Sequence, residues 1–175
     1  DTDSDGYLDA GETWYYKATG TAAAGQYANI ASVTGKDSDE TTVSDSDPSH
    51  YYGYTSNIDI EKHTNGEDAD SPTGPYVKVG STVTWEYYVT TTGSDPIGTV
   101  VVVDDNGTPS DPSDDVTLTL VSGDTDSDGY LDAGETWYYT ATGTAAAGQY
   151  ANIASVTGVD SDESTVSDSD PSHYY

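Results

Sequence analysis

The chain has 175 residues, 4 lysines and arginines against 32 aspartates and glutamates, a net charge of -28, and no cysteine. This balance excludes phosphate-backbone binding, which needs cations to displace counterions. The absence of cysteine excludes disulfides and thiolate metal sites, and no apolar run is long enough to insert in a membrane. Leu, Ile and Val make up about 14% of the residues, a value typical of disordered chains at this charge, so any fold must be argued from pattern.

An internal repeat organises the chain. Residues 1–52 recur as 124–175 with 49 identities, the exceptions being Lys17/Thr140, Lys36/Val159 and Thr41/Ser164. The register predicts a period of 123 residues, with 1–56 the C-terminal half (last three strands) of a preceding repeat and 57–175 one nearly complete repeat. On this reading the chain is a window on a longer tandem array, and its first half folds only against four strands of an upstream unit.

In chain order, the complete unit predicts strands at 58–63, 82–90, 100–103, 116–120, 136–142, 150–158 and 164–168. Val83, Trp85, Tyr87 and Val89 alternate with polar residues, as do Val116, Leu118 and Leu120, and Trp137, Tyr139 and Ala141. The run Val100 to Val103 is expected to be buried on both sides. Gly, Pro, Asp and Asn gather between these segments, at 65–75, 93–96 and 104–115. Seven short strands without a helical period predict an all-β fold, an immunoglobulin-like seven-stranded β-sandwich.

The chemistry lies in acidic loops. DTDSDGYLDAGE at 124–135, with its copy at 1–12, matches the calcium-loop spacing D-x-[DN]-x-[DN]-G-x5-E. Calcium takes six to eight hard oxygens. The expected ligands are Asp124, Asp126, Asp128, the Tyr130 carbonyl, Asp132 and Glu135, and in the first copy Asp1, Asp3, Asp5, Tyr7, Asp9 and Glu12. Strands rather than helices flank both loops. Weaker candidates are Glu67, Asp68 and Asp70; Asp104, Asp105, Asp111, Asp114 and Asp115; and Asp168 and Asp170 with their copies Asp45 and Asp47. Each of these taken alone is read first as a solvated turn. Alternating strand directions place the first and third connections and the last strand's exit at one end of the domain. The calcium loop and the 160–164 turn fall at the other, so calcium is expected at inter-repeat junctions.

These residues resemble tandem Ig-like repeats of prokaryotic cell-surface and secreted proteins, through NGEDAD, DGYLDAGETW and DSDPSHYY. The resemblance implies calcium-dependent sandwiches strung into stalks, adhesins or fibres outside the cell. The expected function is therefore structural: a calcium-stabilised extracellular filament or stalk at the cell surface, its partners neighbouring identical repeats or subunits and other filaments. The alternative is an extender region of a modular adhesin. Tyr51, Tyr52 and Tyr54 are candidates for packing between units or for exposed linker positions. An enzyme is not expected, since His50 and His173 are one repeat position and His63 has no cysteine or G-x-S-x-G serine to act with. Lys62 and Lys78 are additional candidates for an internal Lys–Asn isopeptide bond.

Overall fold

The computed structural model describes residues 4–175. They divide into two compact units, one ending at Gly53 and the other comprising 54–175. Every regular element among the described residues is a strand.

The second unit is an immunoglobulin-like sandwich of two four-stranded sheets. Its strands are β3 (Asp59–Thr64), β4 (Glu67–Asp68), β5 (Thr82–Thr90), β6 (Gly98–Asp104), β7 (Val116–Thr117), β8 (Thr136–Thr144), β9 (Tyr150–Val159) and β10 (Thr165–Tyr174). One sheet has the order β4-β3-β5-β8 and the other β10-β9-β6-β7. Period-two alternation aims one face of each strand inward, so Val83, Trp85, Tyr87 and Val89 of β5 are all buried. They meet Ile58, Ile60, Ile97, Val102, Leu131, Trp137, Tyr139, Ala154, Val156 and Tyr174 in a single core.

Three local expectations are corrected. The run at 100–103 is not buried on both sides: Val102 is fully buried, whereas Val101 is exposed, because β6 has water on its outer face and a register break between Gly98 and Val101. The strand expected over 116–120 shortens to two residues. The loop expected at 65–75 contains a short strand, β4, turned against β3 by Asn65-Gly66 with φ of +52° and +81°. That pair of positive φ values is what a two-residue Asn-Gly hairpin requires.

β3 and β10 close one open side of the sandwich without main-chain pairing. The Ile60 amide donates to Asp168 Oδ2 at 3.0 Å and the Lys62 amide to Asp170 Oδ2 at 2.7 Å. Thr64 and Ser172 share a hydroxyl hydrogen bond of 2.5 Å. All three pairs are 108 residues apart, so the two strands run parallel, with alternate β10 side chains standing in for a neighbouring strand. These contacts satisfy donors that an edge strand would otherwise present to other chains.

With β3 and β10 parallel and each named pair within a sheet antiparallel, the loops sort to two ends. The 65–81 and 105–115 connections share one end with the exit of β10, and the 118–135 connection shares the other with the 160–164 turn.

The first unit is a hairpin of β1 (Gly25–Lys36) and β2 (Thr42–Gly53), paired in the register of β9 and β10. Residues 13–21, the copy of β8, form no strand. β8 is held by β5, and the first unit contains no copy of β5.

Candidate metal centre and acidic clusters

The 124–135 loop brings three of its expected ligands together. Carboxylate oxygens of Asp124, Asp126 and Asp128 lie within 4.8 Å of one another. Backbone amides shape the turn: Asp124 accepts from Ser127 and Gly129 at 2.7 and 3.1 Å, Asp126 from Asp128 at 3.3 Å, and Asp128 from Tyr130 at 2.8 Å. Converging carboxylates of this kind suit a hard, oxygen-seeking cation.

Glu135, the twelfth position, is not in that group. Its Oε1 accepts from the amide and the hydroxyl of Thr125, both at 2.7 Å, and its Oε2 from Trp137 Nε1 at 3.0 Å and the Asp132 amide at 3.3 Å. These hydrogen bonds, those from Thr125 foremost, hold its carboxyl down to about 2. Glu135 is thus the clasp that closes the loop onto the core tryptophan. Asp132 is pushed up by burial and then by Asp128, Asp126, Glu135 and Asp124. The side chain of Tyr130, whose carbonyl is the expected ligand, is exposed.

In the first copy, Asp1 and Asp3 lie outside the described residues. Asp5 accepts from the Tyr7 amide at 2.8 Å, and Glu12 accepts from the Asp9 amide and Trp14 Nε1, both at 3.2 Å. The bonds from the tryptophan indole and from the aspartate amide to this glutamate therefore recur in both copies.

A second acidic group forms at the opposite end. Asp70 is pushed up by burial and by its hydrogen bond with Asp68. Asp170 rises to about 6, chiefly through burial, with Asp70, Glu61 and Asp68 adding repulsion against the bond from the Lys62 amide. His173 Nδ1 lies 3.0 Å from the Ala69 carbonyl, and His63 Nε2 lies 3.3 Å from Glu61. Glu67 is exposed on β4. The sequence reading did not single out Glu61, whose proximity follows from the β3–β10 closure.

The remaining candidates are engaged by hydrogen bonds or exposed. Asp104 is buried among β3, β5 and β9 side chains, and its Oδ1 also accepts from the Asn106 amide of the loop that follows at 2.9 Å. Asp105 accepts from the Gly107 and Ile153 amides at 3.0 and 2.8 Å. Asp111 accepts from Ser113, which lowers its pKa, and Asp114 accepts from Thr108 at 2.5 Å. Asp115 is exposed, as are Asp45 and Asp47 on β2. Asp168 and Asp170 each commit an oxygen to the β3 edge.

Tyr51 stacks on Tyr27 within its own hairpin, at 4.6 Å and 17°, as Tyr174 stacks on Tyr150 at 4.7 Å and 17°. Tyr54 donates to Asp162, while Tyr52 is exposed.

No helix among the described residues is long and apolar enough to cross a membrane. No protein-family model matches the chain, and no curated protein matches it. Among solved structures, the major pilin subunit of Bacillus cereus is similar, with a TM-score of 0.45 and 10% identity over 82% of this chain and 47% of that one. The chain thus spans about half the length of that pilin.

Proposed function

We propose that the chain is a structural, non-enzymatic segment of an extracellular filament or stalk, built from repeated Ig-like sandwiches and stabilised by calcium. One observation carries this reading. The β1–β2 hairpin repeats β9–β10 almost residue for residue, including Asp45, Asp47 and Ser49 at the positions of the edge-closing Asp168, Asp170 and Ser172, yet it displays these residues on an exposed surface. Such a surface complements one thing already seen in the molecule, a half-sandwich like β3 to β7.

That half-sandwich comes from an upstream repeat or a neighbouring subunit, not from the strands that follow the hairpin. In the second unit that place against β3 to β7 is already filled by β9 and β10. Repetition of this unit extends a rod. Calcium at the Asp124, Asp126 and Asp128 group, and at the opposite acidic end, offsets repulsion among carboxylates that the fold places together. With an affinity of about 0.1 mM and about 1 mM free ion, one such site adds about 1.4 kcal/mol.

The test is a longer chain in which residues 54–123 are repeated ahead of Asp1, reproducing the natural junction of Gly123 with Asp124. The amides of β1 and β2 should become as slow to exchange with deuterium as those of β9 and β10, and 13–21 should become a strand. Calcium should raise the melting temperature of both units. An unchanged, fast-exchanging hairpin in the longer chain sinks the repeat-array reading, and identical melting with calcium and with chelator sinks its calcium half.

A further inference from the structure

Four polar side chains meet inside the sandwich of the second unit. Lys62 of β3 is fully buried, and Asp104 of β6 and Asn152 of β9 are only 3% and 2% exposed. Lys62 Nζ lies 2.8 Å from Asp104 Oδ2. Asn152 Nδ2 donates to Asp104 Oδ1 and Oδ2 at 2.9 and 3.1 Å, and the Tyr87 hydroxyl donates to Oδ2 at 2.5 Å. One carboxylate oxygen therefore touches both the lysine amine and the asparagine amide nitrogen.

As a permanent ion pair this arrangement is a poor device for stability, because both charges are taken out of water and their attraction need not make up the loss. Two of its atoms are also left without a hydrogen bond: Lys62 Nζ, whose approach to Asp104 is close but misaligned, and Asn152 Oδ1. Buried orphans of this kind need an explanation. Burial lowers the pKa of Lys62 against the pull of Asp104, favouring the neutral amine, which is the nucleophilic form.

We propose that Lys62 and Asn152 condense into an internal isopeptide bond, with Asp104 as the proton-transfer residue. Lys62 passes a proton to Asp104, and the freed amine attacks Cγ of Asn152. With the Asn152 amide turned over, its Oδ1 faces the Asp104 O–H, which takes up the charge that develops on that oxygen. As the intermediate collapses, the Nζ–Cγ bond is made and the Cγ–Nδ2 bond breaks. Asp104 carries a proton from the attacking nitrogen to the departing one, which leaves as ammonia. The proton first taken from Lys62 stays on Asp104, so no buried charge remains. No oxidant, metal or other reactant is needed. The product joins β3 of one sheet to β9 of the other, and both orphaned atoms are accounted for.

The molecule supplies its own control. Asn29 is the copy of Asn152, but it is exposed in a hairpin whose unit has no copy of Lys62 or Asp104. The other sequence candidate, Lys78, is also exposed. One bond is expected, in the second unit alone.

The experiment is mass spectrometry of the denatured full chain, followed by trypsin. The intact chain should be lighter by one ammonia. Trypsin should cut after Lys17, Lys36 and Lys78 but not after Lys62, leaving residues 37–78 joined to 79–175 in one branched species. Asn29→Ala should keep the ammonia loss and the branch, whereas Asn152→Ala and Asp104→Ala should lose both. A native chain of full mass overturns the proposal whatever the variants do. So does ammonia loss with normal cleavage after Lys62, which would point to ring closure at Asn65-Gly66 or Asn106-Gly107 instead.

Discussion

The two copies of the 52-residue segment are nearly identical in sequence but not in environment. Leu131 is fully buried and its copy Leu8 is 61% exposed; Val156 is fully buried and Val33 is 60% exposed. Features closed within the segment are nevertheless the same in both, including the hairpin register, the tyrosine stack and the Glu–Trp clasp. Features that need β3 to β7 occur only in the second copy: the β8 strand, the core and the edge closure. The contrast separates what a sequence does by itself from what it does when a complementary half is present, since a strand needs partner groups for its amides and a partner face for its apolar side chains.

The largest expected difference between the copies lies in the core. Leu131→Ala should destabilise the second unit by about 2–5 kcal/mol, a cavity cost, while Leu8→Ala should change stability by less than about 0.5 kcal/mol. Urea unfolding of the full chain measures both, and equal effects would mean that Leu8 is buried in solution. Glycine gives a sharper version. A Cβ on Gly158 would stand 2.3 Å from Ile97 Cγ2, whereas on Gly35 its nearest neighbour is Val43 at 3.8 Å. Gly158→Ala should cost about 1–3 kcal/mol by overpacking, with Gly35→Ala close to neutral.

The proposed metal site comes next. Asp126→Asn with Asp128→Asn should remove this site's share of the calcium-dependent rise in stability of the second unit, about 1.4 kcal/mol at millimolar calcium. A full rise in that variant would move the ion elsewhere.

The smallest expected effect is on pH dependence. Asp170 is raised from 3.8 to about 6, so the folded state binds its proton more tightly, and stability should increase as pH falls through about 6 until both states are protonated below 3.8. Glu135 has the opposite sign. Lowered from 4.5 to about 2, it contributes stability above 4.5 that is lost as pH falls through about 2. Melting curves in chelator should therefore pass through a maximum where these ranges meet, at about pH 4. Asp170→Asn, which keeps an acceptor for the Lys62 amide, should flatten the high-pH side.

Much of the fold was legible because alternation over Val83 to Val89 and Trp137 to Ala141 is a short-range signal that each strand carries alone. The Asp124, Asp126 and Asp128 convergence was legible for the same reason, since a twelve-residue loop closes on itself. Asp168 and Asp170 were read as weaker metal candidates at the end of the last strand, and their use as acceptors for β3 was hidden by a separation of 108 residues. Glu135 was legible as the twelfth position of the loop, whereas its bonds to the Thr125 donors and the Trp137 indole were not, since the spacing does not encode them.

By itself the sequence determined the β1–β2 and β9–β10 hairpins and their register, the turn chemistry and the acidic loop, because each depends on residues near one another in the chain. Only the tertiary structure decided which copy of the repeat has an interior, that Asp104 lies beside Lys62 and Asn152, and that a lysine among 32 acidic residues is fully buried. Burial and partner choice are properties of the half-sandwich that a segment meets, and two nearly identical segments meet different ones.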